Sequence, residues 1–245
     1  MTRTSSPKRL SETARLRTRD VVWALALTFT VLALIQACVG RMYLIPSSSM
    51  EPTLHGCPGC TNDRIAVQKI SYYFSDPRPG DVVVFSGPDS WNTSFDVDRP
   101  RNVMLRGLHN IGAVVGLVPN GDNILVKRVI ATGGQTVSCE EGDPSVMVDG
   151  HATSQDVVLD PPEIPIDNRV GSQACGGAYF GPVTVPEGHL WVMGDNRTNS
   201  ADSRYHMGDE LQGTVPLDNV VGKVQAIILP FNRIGGVDDP DIQHN

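Results

Sequence analysis

The first apolar pattern along the chain is one unbroken run. From Val21 to Gly40 (VVWALALTFTVLALIQACVG) no charge occurs, and sixteen of the twenty residues are apolar. Wound as a helix at about 1.5 Å per residue, such a run reaches about 30 Å, the thickness of a bilayer core. It predicts a transmembrane helix over 21–40. A cleavable signal peptide would have a shorter apolar region, roughly 7–15 residues. The tetrad Ile35-Gln36-Ala37-Cys38 resembles a lipoprotein processing site only faintly, because Gln36 is atypical there. Beyond the run the pattern changes to short segments rich in Val and Ile. Strand candidates are Arg64–Ile70, Asp81–Phe85, Asn123–Ile130, Val146–Val148, Val183–Val185, His189–Met193 and Val220–Leu229. Gly, Pro, Asn and Asp punctuate them, and none is followed by the crossover helix that a parallel sheet requires. The expected fold is mainly β and antiparallel. One stretch departs from it: Met104, Leu108, Ile111, Val115 and Val118 fall at helical spacing, interrupted by Gly107, Gly112 and Gly116. It reads either as core packing or as a helix lying on a membrane surface.

Composition agrees with a turn-rich β protein. Gly (24) and Pro (18) are abundant among the 245 residues, and 40% hydrophobic content is enough for a core. The formal charge of −7 argues against a nucleic-acid partner, which would need a basic face. That total hides a split. Residues 1–20 carry six positive side chains against Glu12 and Asp20, a segment of +4, so the remainder is −11. By the positive-inside rule the 1–20 segment stays cytoplasmic and the chain after residue 40 is exported.

Cysteine usage fits an exported, oxidising setting. Outside the apolar run stand Cys57, Cys60, Cys139 and Cys175, which allow two disulfides in three connectivities. Cys57-Pro58-Gly59-Cys60 could also be half a zinc site or a redox pair. The zinc reading lacks a second CxxC, and the redox reading lacks a βαβ setting. A local Cys57–Cys60 bridge plus a longer Cys139–Cys175 clamp is the simplest assignment.

Three segments carry chemistry only when taken together. Ile45-Pro46-Ser47-Ser48-Ser49-Met50-Glu51-Pro52-Thr53-Leu54 could alone be a linker. In Val126-Lys127-Arg128-Val129, strand alternation puts Lys127 on the face of Leu125 and Val129, and Arg128 on the opposite one. Such a lysine either snorkels to solvent or is desolvated, which favours the neutral amine. The third, Gly194 to Arg204 (GDNRTNSADSR), could be only a solvated loop.

In this order, SSSMEPTL, PGDVVVF, VKRVIATGG and GDNRTNSADSR resemble the successive signature boxes of bacterial type I signal peptidases, spread over residues 46–204. That family consists of membrane-anchored serine proteases that cleave signal peptides from exported preproteins. The resemblance implies Ser49 as nucleophile and Lys127 as general base. It implies an oxyanion hole from the Ser47 side chain and the Ser49 backbone N–H. Ser200 would position the lysine amine, with Asp202 and Arg204 as a supporting pair and Arg128 nearby. Ile45, Pro46, Met50, Leu54 and Val126 would line the substrate groove. Thr198 stands where Asp or His is common in the family.

The implied architecture is an antiparallel β-barrel-like catalytic domain (41–134 and 190–230), with a smaller β insertion domain at 135–189 and an irregular tail at 231–245. Cys139 and Cys175 both fall within that insertion. The implied partners are signal peptides of secreted preproteins and membrane lipid, and the implied location is the plasma membrane with the catalytic part outside. No cofactor or metal is expected. Ser49 lies eight residues beyond Arg41, so it stays within roughly 26 Å of the end of the apolar run. A competing reading is a His-dependent serine hydrolase using Ser49, His206 and Asp202, and a non-enzymatic one is an inactive membrane-tethered β scaffold.

Overall fold

The structure, a computed structural model, describes residues 18–31, 40–57, 59–91 and 123–243. Residues 18–31 are helical and exposed throughout, with Trp23, Leu25 and Phe29 about two-thirds exposed. Among the described residues no helix is long and apolar enough to cross a membrane. Residues 32–39 of the expected span, most of the basic leader and the 104–118 stripe lie outside the described residues.

Gly40–Asn245 form one compact unit. Its strands are β1 (Gly40–Leu44), β2 (Arg64–Gln68), β3 (Val82–Ser86), β4 (Ile124–Thr132), β5 (Thr136–Cys139), β6 (Met147–Val148) and β7 (His151–Ala152). There follow β8 (Gly171–Ser172), β9 (Gly177–Ala178), β10 (Phe180–Thr184), β11 (His189–Met193), β12 (Val215–Pro216), β13 (Val220–Leu229) and β14 (Gly235–Gly236). All described pairings are antiparallel. The large sheet runs β1-β2-β13-β3-β4-β11-β12, with β14 added on β13; a second runs β10-β5-β6-β7, and β8-β9 form a small ribbon. The expectation of a mainly β, antiparallel fold holds. β11 and β13 match their expected limits, and β2, β3, β4 and β10 shift by one to three residues at an end. β1 and β5 were not expected, and Gly40, expected to end the membrane helix, begins β1.

Alternation explains why β3, in the middle of the large sheet, is dry on both faces. Val82 and Val84 of β3 pack with Ile45, Met50, Leu54, Ile65 and Val67, while Val83 and Phe85 pack with Trp91, Val129, Leu190 and Val192. A continuous Val run therefore suits a strand covered on both sides, where alternation with polar residues would expose half of it. β4 is the longest element of the site. Val126 borders the first cluster and Leu125 the second, while Ile130 and Ala131 enter a third with Val137, Val146, Phe180 and Trp191. The third cluster includes the bonded pair Cys139–Cys175, and Cys57–Cys60 are bonded as well. The tail is not merely irregular: β14 pairs with β13, and Ile242 is buried in the third cluster.

Candidate active site

Ser49 stands on the connection between β1 and β2. Ile45, Met50 and Leu54 are buried in the first cluster, and the Ile45 N–H donates to the Asp63 carbonyl at 2.9 Å, so both ends of the serine triplet are pinned. The turn after β11 grips its middle. The Asn196 N–H donates to the Ser49 carbonyl at 3.2 Å, and its side-chain amide donates to the Ser48 carbonyl at 3.1 Å. The Asn199 amide donates to Ser48 Oγ at 3.1 Å. Gly194 is required where this turn begins, since a Cβ there would come within 2.3 Å of the Ser49 carbonyl oxygen.

Lys127 occupies the middle of β4, paired in register with Val83 of β3, and is only 4% exposed. Its Nζ lies 2.6 Å from Ser49 Oγ. Burial lowers its pKa from 10.5 to about 8; Asp202 and Asp195 pull it upward and Arg204 pushes it down. Desolvation wins because a charge removed from water loses more than distant counter-charges restore. Ser47 Oγ lies 3.3 Å from Ser49 Oγ and is exposed.

Around this contact lie two arginine–aspartate pairs. Arg128, on the opposite face from Lys127, is fully buried and binds Asp195 through Nε and Nη2. It also donates to the carbonyls of Gly80 and Asp238 at 2.6 and 3.1 Å. Thr53 Oγ1 donates to Asp195 at 2.6 Å, closing the link to the serine loop. Arg204 binds Asp202 through Nε and Nη2 at 2.9 and 2.8 Å. Burial opposes the charge on Asp202, but Arg204 and the Gly194 N–H hold its carboxyl below the usual carboxylate range. Arg197 is buried beside them, and burial lowers its pKa to about 10.

The residues implied by the boxes are thus largely brought together, with differences at Ser200 and in the groove. Ser200 Oγ is buried and makes no hydrogen bond of normal geometry, although it is near enough to Asp202 to favour the carboxylate. Arg204 pairs with Asp202 as expected, and Arg128 has a carboxylate partner of its own in Asp195. Of the five groove residues, Ile45, Met50 and Leu54 are at most 3% exposed, so only Pro46 and half-buried Val126 present surface. His206 stacks on Trp91 with ring centroids 4.4 Å apart and makes no hydrogen bond to Ser49. Asp195, Asn196, Asn199 and Thr53 were missed as site residues by sequence reading. For Asp195, Asn196 and Asn199 the signal that could have found them is the density of polar side chains directly after β11, too many for one exposed turn; Thr53 lies within the serine box itself.

A serine hydroxyl in contact with a desolvated lysine, on a β scaffold, defines a hydrolase of the serine peptidase class. Over residues 18–229 the sequence matches the family model "Signal peptidase, peptidase S26". The chain belongs to the signal peptidase family S26. It is 50% identical over 211 residues to a probable signal peptidase I of Mycobacterium leprae, covering 81% of this chain and 72% of that one. It is 52% identical over 204 residues to signal peptidase I of Mycobacterium tuberculosis, covering 81% and 68%. A solved signal peptidase I from Enterococcus faecalis overlaps 61% of this chain and 97% of its own at 23% identity and a TM-score of 0.33, too low to bear on the fold.

Proposed function

We propose that this signal peptidase cleaves signal peptides from preproteins with Ser49 as nucleophile and Lys127 as general base. The observation that carries the reading is the 2.6 Å contact between Lys127 Nζ and Ser49 Oγ, with the lysine buried and its pKa lowered to about 8. A lysine at its ordinary pKa near 10.4 is almost wholly protonated at neutral pH and cannot accept a proton. At about 8 a useful fraction is neutral. The neutral amine takes the Ser49 hydroxyl proton as Oγ attacks the scissile carbonyl. The resulting oxyanion accepts hydrogen bonds from the Ser49 N–H and the Ser47 hydroxyl. Collapse expels the new N-terminus of the mature protein, which takes the proton from Lys127. Water then attacks the acyl-Ser49 ester, with the same amine as base, and releases the signal peptide.

Pro46 and Val126 supply the solvent-reachable wall of the substrate groove, and Ile45, Met50 and Leu54 form its packed floor. Small residues before the scissile bond, Ala-x-Ala in pattern, suit shallow pockets on such a floor. Residues 21–40 anchor the chain in the plasma membrane, with the basic leader cytoplasmic and the catalytic part outside. That reading rests on the charge split and the apolar run of the sequence. Residues 135–189 act as a non-catalytic insertion, a reading supported by a second sheet whose strands all fall within 136–184.

The test is cleavage of a model preprotein by the full chain in detergent. Ser49→Ala and Lys127→Ala are expected to abolish turnover, while His206→Ala retains it. Full activity of Lys127→Ala would eliminate the serine–lysine reading, and loss of activity only in His206→Ala would favour the histidine triad.

A further inference from the structure

The Cys57–Cys60 bridge is not used by the chemistry above, yet it sits behind the serine loop in an organised setting. A ring nitrogen of His55 and the sulfurs of Cys57 and Cys60 all lie within 4.8 Å of one another. The His55 N–H donates to Asp63 Oδ2 at 2.7 Å, and the Asp63 N–H donates back to the His55 carbonyl at 2.9 Å. Asp63 is fully buried and bound by Arg233, so the histidine backbone is fixed from below. The Cys57 N–H is held by Asn62 Oδ1, and the Cys60 N–H donates to the Cys57 carbonyl at 3.2 Å, a tight turn. Glu51 contacts Nδ1 of His55, so while that contact holds a cation would bind through Nε2.

Two features distinguish this bridge from Cys139–Cys175. The latter has both cysteines fully buried and closes 36 residues of chain; Cys57 and Cys60 are three apart, and Cys60 is exposed. A short loop gains little from closure, and exchange needs access to a sulfur. A reductant therefore reaches Cys57–Cys60 first.

We propose that Cys57–Cys60 is a reducible bridge that, once opened, forms with His55 a three-ligand site for a thiophilic divalent cation of the zinc type. A dithiol reductant is oxidised to its own disulfide as the bridge gains two electrons and two protons. Binding then displaces the two thiol protons, and the cation takes two thiolates and one imidazole nitrogen, with water in the fourth place. Tetrahedral zinc has bonds of about 2.3 Å to sulfur and about 2.0 Å to nitrogen, so its ligand atoms stand roughly 3.5–4 Å apart. The bonded sulfurs must separate on reduction to reach that spacing, and all three atoms already lie within 4.8 Å of one another. The Glu51 carboxylate on the imidazole is the usual outer partner of a metal-bound histidine. Gly56 packs the loop against the serine triplet: a Cβ there would meet the carbonyl oxygens of Ile45 at 2.5 Å and Ser47 at 2.7 Å. Drawing His55 and Cys60 onto a cation therefore presses on Ser47, and occupancy lowers cleavage if Ser47 and Ser49 act as proposed.

The primary test does not depend on activity. Full-length protein in detergent, oxidised or reduced by a dithiol under argon and then freed of it, is titrated with Co²⁺ and followed by thiolate-to-cobalt absorption. The reduced protein is expected to bind one Co²⁺ per chain, displaceable by Zn²⁺, and the oxidised protein none. The double variant Cys57→Ser/Cys60→Ser, which keeps Cys38, Cys139 and Cys175, should lose the band. Glu51→Gln should weaken binding roughly 10–100-fold. Absence of the band in reduced protein, or its survival in the double variant, overturns the site. Preprotein cleavage serves as a second reading: Zn²⁺ should inhibit the reduced protein and spare the double variant, while equal inhibition of both overturns the coupling to Ser47.

Discussion

Arg128 and Asp195 meet as a two-pronged pair, Nε on Oδ1 at 2.8 Å and Nη2 on Oδ2 at 2.7 Å, and neither side chain reaches solvent. Arg128 is the neighbour of Lys127 on β4, and Asp195 is the neighbour of Asn196, which grips the Ser48–Ser49 backbone. The pair therefore ties the strand that carries the lysine to the turn that holds the serine loop. Asp195→Ala leaves a guanidinium buried without its partner, a change that costs about 3–5 kcal/mol. Urea unfolding should show that loss, and cleavage should fall with it. Asp195→Asn keeps the shape and should lose less of both.

Cleavage should depend on pH through the lysine. The active form holds Lys127 neutral, so kcat/KM rises with pH and levels off above the lysine pKa of about 8. Below that point the slope should be one proton. A profile that is flat from pH 6 to 9 would contradict Lys127 as the base.

Replacing the lysine should separate activity from stability. Lowering its pKa from 10.5 to about 8 by burial corresponds to about 3 kcal/mol against the charged form. The unfolded chain keeps the proton up to about pH 10.5 and the native one only to about 8, so native stability rises with pH between those values. Lys127→Met carries no such proton. It should be inactive yet more stable than the parent, with the gain largest below pH 8 and gone above pH 10.5, as read from denaturant midpoints across that range.

Ser47 offers the converse case. Its hydroxyl is exposed and 3.3 Å from Ser49 Oγ. Removing one oxyanion donor typically costs ~10²–10³ in kcat. Ser47→Ala should show that fall with an unchanged melting temperature and little change in KM.

Much of the sheet was legible because its local signal is strong. Val-rich strands bounded by Gly and Pro stood out, and β11 and β13 fell at their expected limits. The two-residue strands β7–β9, β12 and β14 carry too few side chains for any period to show, and pairing alone creates them. The serine and lysine were readable from the order of the boxes, yet their partners were less so. Arg128 was expected near the Asp202–Arg204 pair, but its own partner Asp195 was not foreseen; strand alternation turns it away from Lys127 and toward the carbonyls of Gly80 and Asp238. Ile45, Met50 and Leu54 were expected to line the groove and are at most 3% exposed, since apolar side chains flanking a polar triplet can face either way.

By itself the sequence determined an antiparallel β chain, the family of its boxes, the charge split across the apolar run and the residue types available for catalysis. Those follow from local periodicity and order, which are written in neighbouring residues. Only the tertiary structure brought Lys127 within 2.6 Å of a serine 78 positions away, and only it made that lysine dry. A pKa is set by the surroundings of the amine, by the packing of β3, β4 and the serine loop and by the charges of Asp195, Asp202 and Arg204. Those surroundings come from remote segments, so no stretch of sequence around Lys127 contains them.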